Sequence, residues 1–171
     1  SDLSEDGFPL YRRRGFRVIG QVERWIRADG GTGAAALAEG DGRDLLRAAD
    51  LLTWGERREL LERLLPESTT LRCGGEVALL QRQPGLQILG PWCADTVSGQ
   101  AQHGTLLAAA LAAASPEQEL VLDVRAGALP EGLLTQAEFV RQGRTRLMAR
   151  GDLSGVDLQT LVSFASLGSM G

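Results

Sequence analysis

The sequence is poor in the residues that build metal centres and disulfide frameworks. Its 171 residues hold two cysteines, Cys73 and Cys93, and one histidine, His103. They form no CxxC pair and no HxxxH spacing, so no metal site is expected. Two cysteines allow one disulfide, but no signal-peptide pattern is present and both are expected as thiols. No apolar run approaches the ~18 residues that a membrane span needs, and the expected compartment is the cytoplasm. An excess of basic charge is lacking as well. A net charge of -4 and a pI near 5.1 argue against a general nucleic-acid partner, since phosphate neutralisation needs a net basic face. Aromatic residues make up only 5% of the chain, against 43% hydrophobic residues in all. The core is therefore expected to be built from aliphatic faces of helices and strands.

What is present reads as an α/β protein. Residues 8–14 begin an amphipathic helical turn with Arg12, Arg13 and Arg14 at its C-terminal end, where cations suit the helix dipole, and Gly15 stops it. Residues 16–26 (FRVIGQVERWI) are β-branched and roughly alternating, which predicts a strand, with Gly20 marking an irregularity. The stretch 29–42 is rich in glycine without apolar period and reads as a linker. Its Gly31-Thr32-Gly33 lacks the following Lys-Ser/Thr of a phosphate loop. Leucines at helical spacing from Leu45 to Leu65, interrupted near Thr53-Trp54-Gly55, predict two helices. A hairpin is expected over 70–81 around the turn Cys73-Gly74-Gly75. Residues 86–94 (LQILGPWCA) read as a strand that must be splayed or at an edge, because Pro91 removes a ladder donor. A small-residue helix over 99–114, a strand over 119–124, a helix over 130–137 and a strand over 139–149 follow. This order describes a mixed sheet with at least one parallel crossover. Beyond Asp152, apolar residues from Leu153 to Leu167 suggest an amphipathic extension that packs on the domain or on a neighbouring subunit.

An internal repeat organises this list. Leu10-Tyr11-Arg12-Arg13-Arg14-Gly15-Phe16 overlays Leu133-Leu134-Thr135-Gln136-Ala137-Glu138-Phe139, and further on Gly20 falls on Gly143 and Arg27 on Arg150. Helix, phenylalanine and glycine-containing strand thus occur twice.

The first copy of the repeat resembles the LY-x-x-x-GF motif that ends GNAT-type acetyltransferase domains. Residues from Arg43 onward resemble the C-terminal GNAT-like domain of two-domain members, through Gly75-Glu76-Val77, Leu89-Gly90-Pro91-Trp92, Leu122-Asp123-Val124 and the segment 144–151 (RTRLMARG). The resemblance implies a GNAT-like mixed central sheet flanked by helices, and acetyl transfer from acetyl-CoA to a small-molecule or peptide amine. It implies that Tyr11 protonates the departing thiolate, a step that a thiol leaving group with a pKa near 8.5 needs. Residues 1–28 are then the tail of a first domain, 43–151 a second domain and 152–171 its extension.

The second copy departs from the pattern. Leu134 stands in the tyrosine's place and Glu138 in the glycine's, so this copy reads as catalytically silent. The family's pyrophosphate loop falls on residues 94–105, where Gly99, Gly104 and Thr105 are the candidate remnants for CoA binding and Asp95 adds a repelling charge. His103 is the candidate general base, and Trp92 with Cys93, at the splayed strand, are the candidates for an acceptor pocket. The alternative to an enzyme is a non-catalytic GNAT-like module that shapes an acceptor pocket or a homodimer interface.

Overall fold

The computed structural model describes residues 7–32, 42–56, 58–94 and 102–165. Helix α1 (Phe8–Arg13) leads into strand β1 (Arg17–Arg27), followed by helices α2 (Arg43–Trp54) and α3 (Glu59–Leu64). Strands β2 (Ser68–Cys73), β3 (Glu76–Gln83) and β4 (Leu86–Ala94) come next. Helix α4 (His103–Ala113), strand β5 (Glu119–Arg125), helix α5 (Leu133–Gln136), strand β6 (Val140–Ala149) and strand β7 (Leu161–Phe164) complete the described chain. All seven strands join one sheet in the order β2-β3-β4-β7-β5-β1-β6. Strands β4 and β5 pair in parallel across the α4 crossover, and the other pairs are antiparallel. This is the mixed sheet flanked by helices that the sequence predicts.

Side-chain alternation divides the core between the two faces of the sheet. On one face Ala78, Leu80, Leu89, Trp92, Leu120 and Leu122 pack with Leu106, Leu107 and Ala110 of α4. On the other, Val77, Leu79 and Cys93 meet Leu46 of α2 and Leu61 of α3. Strands β3 and β4 are buried on both faces, which is why they read as nearly continuous apolar runs rather than alternating ones. β1 is locked to β5 by a two-pronged ion pair. Arg24 Nε and Nη2 donate to the two carboxylate oxygens of Asp123, at 2.8 and 2.9 Å, and Asp123 is fully buried.

The sequence repeat recurs in the backbone. Phe139 follows Phe16 by 123 positions, and the same offset relates the main features of the two segments. The Phe16 N–H donates to Tyr11 O, and the Phe139 N–H to Leu134 O. Gly15 donates to Arg12 O where Glu138 donates to Thr135 O, both at 3.0 Å. Gly15 has φ +81°, and Glu138, its counterpart, is held at φ +66°, a left-handed conformation that side chains other than glycine rarely adopt. The two strands of the repeat pair with one another about a local two-fold axis centred on Val22↔Thr145. The pair Arg17↔Ala149 maps onto Ile26↔Val140, Val18↔Met148 onto Trp25↔Arg141, and Gly20↔Leu147 onto Arg24↔Gly143. Even the irregularities correspond, one between Val18 and Gly20 and its mate between Arg24 and Trp25.

The extension beyond Asp152 does more than pack on the surface. After a 3-10 turn at Leu158–Thr160 it enters the sheet as β7. The Arg125 guanidinium donates to Leu161 O at 2.8 Å, and Asp157 N–H donates to Thr53 O at 2.9 Å, so the approach is tied to both β5 and α2.

Candidate functional site

Parallel strands that diverge at their carboxyl ends leave a crevice in which α/β sheets commonly bind ligands. Here β4 and β5 pair only through residues 86–88 and 119–121. Beyond them the two strands part, at the Gly90-Pro91 step where the sequence predicts a splay. β7 runs into this gap and pairs with both sides. Ser163 stands opposite Trp92 and Val124, and Phe164 opposite Asp123. Residues 161–165 are all buried. Ser163 Oγ donates to Leu89 O at 2.8 Å, and Gln81 Nε2 donates to Gly90 O and Ala165 O, at 2.5 and 2.8 Å. β7 lies so close to β4 that a β-carbon on Gly90 would stand 1.9 Å from Phe164 O. The crevice is filled by the chain's own strand.

Beside it, at the start of α4, polar side chains converge on a buried carboxylate. Glu76 opens β3 with 2% exposure. It accepts from Trp92 Nε1 at 2.9 Å and from the Gln102 backbone N–H at 2.5 Å. His103 Nδ1 lies 3.0 Å from the same carboxylate, and the His103 ring meets the Trp92 indole edge to face at 5.7 Å. Cys73 Sγ donates to Gln102 Oε1 at 2.7 Å. The tautomer that carries its proton on Nδ1 would donate it to Glu76 and present Nε2 as an acceptor. The arrangement orients an imidazole, as a general base requires. It also places an anion on the backbone amide that opens α4, where the helix dipole attracts negative charge.

The sequence candidates are dispersed by the fold. Trp92 and Cys93 are adjacent on a strand and point to opposite faces, Trp92 toward α4 and Cys93 toward α2. Gly104 and Thr105 are exposed on the first turn of α4, and no close contact requires a glycine at 104. Gly99 lies outside the described residues. Tyr11 sits on α1, its ring edge to face with Phe16 at 5.3 Å. It is far along the sheet from the Glu76 cluster, because β7 and β5 stand between β4 and β1. Sequence reasoning missed Glu76 as the centre of the cluster. The available signal was a carboxylate leading an otherwise apolar strand, close to a tryptophan whose N–H needs an acceptor once buried.

Cys93 is chemically quiet. Burial, with the Asp50 carboxylate adding to it, pushes its thiol from an ordinary 9.0 to about 12. The unfolded chain releases this proton near pH 9 and the folded chain retains it, so stability is full below that pH. It declines as pH rises toward 12, by up to about 1.4 kcal/mol per unit. Urea midpoints measured from pH 7 to 10.5 should show this slope, and Cys93→Val should flatten it. An unchanged slope in the variant would remove Cys93 as its source.

No family model matches the sequence, and no curated protein matches it. Solved structures do match. One is a protein from Pyrococcus horikoshii assigned as an acetyltransferase, 13% identical with a TM-score of 0.65 over 96% of this chain and 57% of that one. Another is a GCN5-related N-acetyltransferase from Sphaerobacter thermophilus, 14% identical with a TM-score of 0.52, covering 92% of this chain and 59% of that one. The chain spans somewhat more than half the length of each. At these identities the likeness establishes the fold, a GNAT-like mixed sheet flanked by helices.

Proposed function

We propose that this chain is the C-terminal part of a tandem GNAT-type acetyltransferase, and that its second copy transfers no acetyl group itself but holds the end of the first. The observation that carries this reading is the insertion of β7 between β4 and β5, which fills the crevice a ligand would enter. The start of α4 fits acetyl-CoA no better. A pyrophosphate needs free backbone N–H groups and the positive end of the helix dipole. The Glu76 carboxylate already takes the Gln102 N–H and brings a negative charge to that end. Among the described residues, those at the start of α4 therefore do not suit the cofactor.

A catalytic role belongs, on this reading, to a completed first copy. Tyr11 keeps a phenol at the motif position, while its counterpart Leu134 is buried and has no proton to give. Acetyl-CoA as cosubstrate and an amine acceptor are proposals for that first copy, as is the assignment of residues 1–28 to its tail.

Thermal denaturation with acetyl-CoA tests the closed crevice. A ligand at a hundredfold its dissociation constant would raise Tm by about 5–10 °C for a chain of this size. The expected result is no rise up to millimolar acetyl-CoA. A clear rise would mean that the second copy binds the cofactor and that β7 does not bar it.

A further inference from the structure

The local two-fold between β1 and β6 leaves one relation unfulfilled among the described residues. On its side away from β6, β1 pairs with β5, from Val22↔Arg125 to Arg27↔Leu120. The same axis carries residues 22–27 of β1 onto residues 145–150, the second half of β6 and the arginine that follows it. Among the described residues nothing pairs with their outer side, and β6 ends the strand order. We propose that this edge is a binding site for one extended segment, the β5-equivalent strand of a first copy, which adds to β6 antiparallel in the register that β5 adopts on β1. The proposal rests on the tandem reading above.

The occupant follows from the repeat rather than from edge exposure alone. The offset of 123 that relates the two segments carries the last two positions of β5, Val124 and Arg125, to sequence positions 1 and 2. Five residues would then lie between that strand and α1 at Phe8, against the seven between β5 and α5. Fold and register are thus specified on both sides of the axis, and each terminal strand would lie between its partner and a β5 strand. Arg141, Arg144 and Arg146 along β6 are exposed, and charges of this kind keep a sheet edge from pairing indiscriminately. A strand tethered in the correct register gains an effective concentration in the millimolar range, which an unrelated strand lacks.

The test joins the sequence of β5 (ELVLDVR) to the chain so that its last two residues replace Ser1 and Asp2. A control carries the same extension with prolines at two alternate positions, which cannot form the ladder. Amide hydrogen exchange is then followed by NMR. The expected result is exchange at least tenfold slower within residues 145–150 of the extended chain, and unchanged exchange there in the proline control. The proposal is overturned if the two proteins exchange alike, or if protection falls on β2, the opposite edge of the sheet. The readout is independent of acetyl-CoA. A cofactor-induced rise in Tm with β6 protected would sink the closed-copy reading alone, and no rise with β6 unprotected would sink this one alone.

Discussion

Glu76→Leu should destabilise the protein by about 3–5 kcal/mol, because it removes one partner from a buried charged network and leaves the other groups in place. Trp92 Nε1 would then be buried with no acceptor, since the indole is fully inaccessible to water, and the half-buried Gln102 N–H would lose its own. For a chain of this size the loss corresponds to a Tm lower by roughly 6–20 °C. Glu76→Gln keeps an oxygen that can accept one of these bonds and should recover part of the loss. His103→Ala should cost less than Glu76→Leu, since it empties a site at the rim of the cluster. The order of the three melting temperatures is the measurement. If Glu76→Leu melted within a degree or two of the parent, the carboxylate would not be the anchor that joins β3, β4 and the start of α4. The cluster would then be held together by its other contacts rather than by the carboxylate.

How much of this was legible in the sequence depends on the range of the interactions concerned. The repeat was legible because it is written locally. A short helix, a residue in the left-handed region, a phenylalanine and a bulged strand each leave a mark within a dozen positions, and Gly20 marked its irregularity correctly. The splay at Gly90-Pro91 was legible for the same reason, since a proline cannot donate to a ladder. The filling of that splay was not. β7 has only four residues, and its apolar spacing from Leu153 onward also suits a segment lying on a surface. What places it in the sheet is a set of partners 36 to 84 positions away, among them Arg125, Leu89 and Gln81. The pairing of Trp92 with Cys93 as one pocket neglected strand alternation, which sends neighbours to opposite faces. That the strand over 16–26 docks on the second sheet was an expectation of the sequence, but its order gave no sign that β1 would lie between β5 and β6, a place explained by the two-fold register.

Phe164→Ala should cost about 3–5 kcal/mol, the amount expected for deleting a fully buried aromatic side chain. Phe164 is 1% exposed and belongs to the core face shared with Leu46, Leu79 and Cys93. An extension that merely lay over a finished domain would give a much smaller value, near that of a surface substitution. Equilibrium unfolding in urea distinguishes the two, and hydrogen exchange shows where the loss falls. The expected pattern is faster exchange in β7 and along β4 and β5 beside it, with β2 little affected. If exchange rose in β7 alone and global stability fell by less than about 1 kcal/mol, the strand would be a removable strap over an intact sheet. A removable strap could yield to a ligand, whereas a strand whose loss loosens both neighbours is part of the wall. The closed-copy reading requires the second behaviour, because the crevice stays shut only if opening it costs a substantial share of the folding free energy.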